Sequence, residues 1–266
     1  MRKETVFEKR QRLMEVAKAS LSDAYAGDEH AVKQAISSYL EVEKVRNQIF
    51  ERLEEWYSIY FPELRSPSPT SLAKFVIAFG LNKKKATVEE LRKAIGEGAE
   101  KMRMQIENSI GREPSEEEYS TIKSLADIEL SLLATENKID EYLAVAVKKL
   151  MPNISYIIDY KIAAELLGKA GSLERLGMMP SSTIQLLGAE KALFKHIKFG
   201  TKPPKYGILF KLPQIVSANK KMKGRLARMY ANKIAIAAKA DAFSHNFIGD
   251  KLKKDLERLS TKGKQH

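Results

Sequence analysis

No cysteine occurs in the 266 residues. Disulfides and thiolate metal sites are therefore excluded, and nothing argues for secretion. The opening MRKETVFEKRQRL lacks an apolar signal core, and no run nears the ~18 apolar residues of a membrane span. The expectation is an intracellular, soluble chain with no membrane partner. The four histidines, His30, His196, His245 and His266, are too dispersed to form a metal site. Asp241, Ser244 and His245 hold the residue types of a hydrolytic triad, but within five residues. A triad draws its members from separate elements. The stretch LLGKAGS lacks the glycine spacing and the Lys-Ser/Thr pair of a Walker loop, so Gly168 and Gly171 are expected in a tight turn between helices. Paired carboxylates for acid–base work are not visible in the second half. The chain reads as a non-enzyme without metal or cofactor.

Acidic residues are scarce in one place only. Residues 1–150 hold 24 Lys+Arg against 26 Asp+Glu, whereas residues 151–266 hold 22 against 8. The whole basic excess sits in the second half, and a field so localised points to a polyanionic partner, nucleic acid first. Leu187–Lys211, LGAEKALFKHIKFGTKPPKYGILFK, concentrates it: six lysines stand beside one acid, Glu190.

Apolar residues set the organisation. Val32, Ile36, Tyr39, Val42, Val45, Ile49, Leu53, Trp56 and Tyr60 recur in steps of three and four, which predicts one long helix over 31–61, stopped by Pro62 and SPSPT. SLAKFVIAFG predicts a short helix ending at Gly80. Thr87 with Glu90, and Ser115 with Glu118, have capping-box spacing; Gly96 and Gly98 predict a bent or frayed segment between them. From 116 to 150 the pattern becomes a heptad: Ile122, Leu125, Glu129, Leu132, Glu136, Ile139, Leu143, Ala146 and Leu150. Two glutamates on that seam imply drift or a wet middle. The fold class expected is all-α: a short helical segment over 1–30, a long antiparallel coiled-coil hairpin over 31–150 with a helical tip insert at 62–115, a compact helical domain over 151–260, and a tail at 261–266. Pro152 marks the boundary. Only YGILF has strand character.

Two basic ridges follow from helical phasing. Lys191, Lys195, Lys198 and Lys202 share one face within about 60°, with Leu193 and Ile197 expected as an apolar underside. Gly188 and Ala189 open the helix, and small residues there let a backbone come close. Lys221, Arg225, Arg228, Asn232 and Lys239 form the second ridge, on a helix otherwise crowded with alanine for close packing. Arginine adds the planar fork that holds a phosphate bidentately. Lys205 and Lys211 lie in the connection KPPKYGILFK. There Tyr206 suits either base stacking or the core, and Phe210 is placed in the core.

At these residues the sequence resembles a family. MMPSSTIQLLGAEKALFKHIKFGTKPPKYGILF followed by KGRLARMYANKIAIAAKADAFS closely resembles the Nop domain, and EWYSIYFPEL resembles the start of the family's coiled-coil domain. The resemblance covers residues 31–260. It implies an archaeal-type scaffold of box C/D guide-RNA ribonucleoproteins (sRNA or snoRNA particles), not a catalyst. It further implies recognition of a kink-turn RNA already bound by a small ribosomal-protein-like kink-turn protein, and a coiled coil that dimerises. A fibrillarin-like methyltransferase would carry out the 2′-O-methylation that serves rRNA processing. The signature Gly188, Ala189, Glu190 and Lys191 would lie in the RNA–protein contact helix, and Arg225, Arg228 and Lys239 map to the second ridge. Lys211 departs from the His or Gln of relatives.

In the family, a separate N-terminal domain holds the methyltransferase. Residues 1–30 read instead as a short charged helix, so the expectation is a chain missing that domain, with docking left open. STKGKQH, in place of a long lysine-rich tail, favours an archaeal cytoplasmic protein, nucleolar if eukaryotic. Two other readings stay in view: a spliceosomal-type Nop-domain assembly protein, and a coiled-coil interaction protein with no RNA role.

Overall fold

The computed structural model describes residues 6–64 and 68–262. Residues 263–266 of the expected tail, 1–5 of the first segment, and 65–67, which include the first two residues of SPSPT, lie outside the described residues. Among those described, every regular element is helical. α1 (Val6–Ala26), α2 (Asp28–Tyr57), α3 (Pro69–Phe79), α4 (Val88–Ile95), α5 (Ala99–Glu107) and α6 (Glu116–Leu150) form the first half. α7 (Pro152–Ile157), α8 (Tyr160–Ala170), α9 (Leu173–Met178), α10 (Ser181–Leu186), α11 (Glu190–Phe199), α12 (Pro213–Val216), α13 (Lys220–Lys239) and α14 (Gly249–Lys262) form the second. No helix there is long and apolar enough to cross a membrane. The chain packs as two units, residues 38–140 and residues 1–37 with 141–266.

In the unit 38–140, α2 and α6 meet along inward-facing residues. Leu53 and Tyr57 share a core with Ile122 and Ala126, and α3, α4 and α5 close over it with Leu72, Phe75, Leu91, Met102 and Ile106. The two seam glutamates have one answer. Arg46 Nε donates to Glu129 Oε1 at 2.8 Å, and its Nη1 pairs with Glu136. Glu129 is fully buried and its Oε2 has no partner. The expected apolar face of α2 needs one correction: Val45 is 40% and Trp56 37% exposed, while Arg46 and Tyr57 turn inwards. Steps of three and four are satisfied by two adjacent stripes on one helix, and periodicity alone does not separate them.

Local chemistry fixes the ends of these helices. Both capping boxes form: Thr87 with Glu90, and Ser115 with Glu118. Gly96 (φ 77°) and Gly98 (φ 99°) turn the chain between α4 and α5, so the segment expected to be bent is two helices. Lys83 is buried, yet its ammonium donates to Tyr60 O at 2.7 Å and to Gly111 O at 3.1 Å, with Glu113 at 3.6 Å. Those bonds offset its desolvation and staple the two ends of the tip segment.

The other unit is built on α13. Ala227, Ala231, Ala237 and Ala238 are buried, and with no bulk beyond Cβ they let α9 and α10 pack close. Gly171 (φ 91°) ends α8 in a tight turn, as expected, whereas Gly168 lies within α8 and not in the turn. The start of α2 holds that turn: Lys33 Nζ donates to Gly171 O at 2.6 Å, and Glu29 accepts from Leu173 N at 3.1 Å. Asp241 follows α13 inside a π-helical turn, Ala240–Ser244, and accepts from Asn153 N, Asn153 Nδ2 and Ile154 N at 2.8–3.0 Å. Its carboxylate caps α7, which gives the residue a structural use in place of a triad role. Burial comes first in raising its pKa.

Candidate nucleic-acid interface

The basic segment is held by a short pairing between two turns. Ile208 N donates to Leu187 O at 2.8 Å, Gly207 N to Gln185 O at 3.0 Å, and Gln185 Nε2 to Lys205 O at 2.6 Å. A Cβ on Gly207 would lie 2.0 Å from Leu187 O, so only glycine permits this approach. Gly188 has φ 87°, and its amide donates to Glu190 Oε1 at 2.7 Å. That bond comes first in holding Glu190 below the ordinary carboxylate range, with the positive field of Lys169 assisting. The stretch expected to have strand character is a 3₁₀ turn, Ile208–Lys211.

α11 starts at Glu190 and ends at Gly200 in the left-handed conformation, where His196 Nδ1 donates to Thr201 O. None of its residues is buried. Lys191, Lys195 and Lys198 are exposed on its outer side. Lys202 is exposed too, but it lies past the Gly200 cap in the connection and not on the helical ridge expected for it, because the left-handed turn ends the helix before it. The apolar underside requires correction: Leu193 and His196 are half-buried and face inwards, but Phe194 and Ile197 are each 71% exposed. At 100° per residue these two form a flank beside the lysine ridge, not opposite it. An exposed pair of large apolar side chains next to a charged ridge marks a contact surface.

α13 carries the second ridge. Lys221, Arg225, Arg228, Asn232 and Lys239 are exposed on one face, with Ile236 exposed among them. The connection 201–211 joins the start of that helix. A Cβ on Gly224 would stand 3.6 Å from Lys205 Cδ. Tyr206 and Phe210 stack at 4.8 Å with a 12° tilt, and Lys223 Nζ lies 5.0 Å over Phe210 while donating to Val216 O at 2.8 Å. Phe210 is 40% exposed, so it is not the core residue expected. Tyr206 is half-buried. The interior is filled by Ile208 and Leu209, which leaves Phe210 outside on the tyrosine ring.

Few carboxylates accompany these residues, since 151–266 hold 22 Lys+Arg against 8 Asp+Glu. In the unit 38–140, Arg46, Lys83, Arg92, Arg103 and Arg112 are each paired with a carboxylate. Of the predicted basic set, Lys211 alone is so paired among the described residues, with Glu165 at 2.5 Å. Lys191, Lys195, Lys198, Lys202, Lys205, Lys221, Arg225, Arg228 and Lys239 form an uncompensated field, which draws in a polyanion. Glu165 escaped sequence reasoning because it lies 46 residues from its lysine. Phe194 was missed because its exposure depends on what α11 packs against. Among the described residues no group of His, Cys, Asp or Glu is arranged to hold a metal.

Comparison with known proteins places the chain. A family model described as Nop, snoRNA binding domain, fibrillarin, matches residues 38–262. An uncharacterized NOP5 family protein of Methanocaldococcus jannaschii is 37% identical over 232 residues, 86% of this chain and 54% of that protein. Nucleolar protein 56 of Dictyostelium discoideum is 38% identical over 226 residues, 82% of this chain and 42% of its own length. The chain thus spans about half the length of the curated relatives it matches. A crystal structure of a fibrillarin/Nop5p complex shares the fold at TM-score 0.51 and 22% identity, covering 95% of this chain and 76% of that one. The chain belongs to the Nop family, whose domain is described as snoRNA-binding.

Proposed function

We propose that this protein is an RNA-binding scaffold of a box C/D guide ribonucleoprotein. In this reading it recognises a kink-turn RNA together with its bound kink-turn protein, and supports 2′-O-methylation by a fibrillarin-like partner without catalysing it. The observation that carries the reading is the exposed, unpaired cations on α11 and on α13, with the exposed Phe194–Ile197 flank on α11 itself. Phosphate contacts suit the first and a protein surface suits the second. Gly188, Ala189, the α11 lysines Lys191, Lys195 and Lys198, then Lys202 and Lys205 of the connection, and the ridge Lys221 to Lys239 make up the interface, with Glu190 bonded to the Gly188 amide behind it. Lys211, paired with Glu165, stands apart from the free cations of the interface. The family description and the fibrillarin/Nop5p likeness support the choice of partners. The site of action follows the source: cytoplasmic in an archaeon, nucleolar in a eukaryote.

The second part of the reading is a homodimer through an antiparallel coiled-coil hairpin made by α2 and α6. Val42, Val45, Ile49 and Trp56 form an outer stripe on α2, and Leu125, Ile128, Leu132 and Ile139 form one on α6, all half-buried or exposed. Each stripe is turned about 100° from the inner seam in the same sense. In an antiparallel pair that rotation brings both to one side, as an apolar strip suited to a second copy.

The test is order of assembly. In a gel-shift series, the chain is added to box C/D kink-turn RNA with and without the kink-turn protein already bound. Tight binding only to the pre-formed complex is expected. Equal binding to naked RNA, or none to either, contradicts the reading.

A further inference from the structure

Glu190 is the one acid within Leu187–Lys211. A carboxylate among lysines weakens a surface that binds a polyanion, so its presence asks for a reason. The geometry supplies one. Glu190 Oε1 accepts from the Gly188 amide at 2.7 Å. Gly188 is in the left-handed region, and a Cβ there would sit 2.6 Å from Ile208 Cγ1. The flanking peptides pair with the same neighbour, through Ile208 N to Leu187 O and Gly207 N to Gln185 O. The Gly188 turn is thus held by the 205–208 segment on one side and by Glu190 on the other. Glu190 is also the first residue of α11. That helix has no fully buried residue and rests only on the half-buried Leu193 and His196, so its two ends carry much of what sets its direction. One end is the Gly188–Glu190 bond. The other is the left-handed Gly200, with His196 bonded to Thr201.

We propose that Glu190 is a positioning residue: its carboxylate, held on the Gly188 amide, sets the direction in which α11 presents Lys191, Lys195 and Lys198, and it does not touch RNA. This inference rests on the scaffold reading above and assigns a role within the same site. It parts from simple electrostatics in sign. If charge alone mattered, removing the carboxylate by either Glu190→Ala or Glu190→Gln would tighten binding to a polyanion. Under positioning, Glu190→Gln keeps an Oε1 acceptor and binds at least as well as wild type. Glu190→Ala binds about tenfold more weakly, the effect of losing one charge-assisted hydrogen bond.

The experiment measures affinity for the kink-turn RNA–protein complex for wild type and both variants, with hydrogen exchange of the Gly188 amide in the free chains. Weaker binding by Glu190→Ala, rescue in Glu190→Gln, and fast Gly188 exchange in the alanine variant alone are expected. Wild-type binding with Glu190→Ala equal or tighter overturns the proposal and leaves the scaffold reading standing, as does unchanged Gly188 exchange in Glu190→Ala. Failure of wild type to bind overturns the scaffold reading, and the RNA role of Glu190 with it.

Discussion

Arg46 Nε donates to Glu129 Oε1 at 2.8 Å between the two long helices, and the same guanidinium pairs with Glu136. One cation thus serves two carboxylates in a nearly dry seam. Replacing it by Arg46→Met leaves both without a counter-charge. Breaking a buried pair on one side is strongly destabilising, here by about 3 kcal/mol. Chemical denaturation should show it, and a change under 1 kcal/mol would mean water reaches the seam.

The pH dependence of that seam has a definite sign. Burial comes first in raising Glu129 above the ordinary glutamate value, Glu136 adds to it and Arg46 opposes it. With the folded value above the unfolded one, the folded chain keeps a proton that the unfolded chain has released. Stability from this group is greatest below the ordinary glutamate range and falls as pH rises to the raised value. Glu129→Gln lacks the proton. Its stability relative to wild type should therefore rise across that window and level off above it, as read by denaturation at a series of pH values.

Lys83 donates to two backbone carbonyls from a buried position. Lys83→Met fills similar space but leaves Tyr60 O and Gly111 O unanswered. Unfolding free energy should fall by about 3 kcal/mol, while binding by the folded variant is unchanged because the staple lies in the unit 38–140.

Phe194 and Ile197 offer apolar contact without charge. The double change Phe194→Ser with Ile197→Ser should leave folding intact, since neither side chain is buried. Binding to the RNA–protein complex should drop about tenfold or more, with the slope of log affinity against log salt unchanged. A reduced slope would instead assign the flank to phosphate contacts.

Local signals were legible and long-range ones were not. The capping boxes, the turn at Gly171 and the alanine faces of α13 rest on residues a few positions apart. They follow from backbone chemistry alone. The glutamates on the seam were visible too, but Arg46 lies 83 residues from Glu129. The same distance problem hid Glu165 behind Lys211. Periodicity assigned Ile197 to an underside because it reports which residues share a face, not whether anything covers that face. Val45 and Trp56 failed for a related reason, since two apolar stripes overlap on α2. In the candidate site, phasing gave the exposed ridge on α13 and three lysines of the one on α11, but carried Lys202 onto a helix that Gly200 ends. The inward use of Glu190 required the turn geometry at Gly188.

The central claim is that unpaired cations on α11 and α13 bind phosphates of a protein-bound RNA. The direct measurement is affinity for the kink-turn RNA–protein complex over a range of salt, for wild type and for Lys191→Glu, Arg225→Glu and Arg228→Glu combined. Counterion release makes log affinity fall linearly with log salt, by about 0.9 per phosphate contact on a duplex. The account predicts a steep slope for wild type and no specific binding by the triple variant. A triple variant that binds as wild type does, with the same slope, would contradict it.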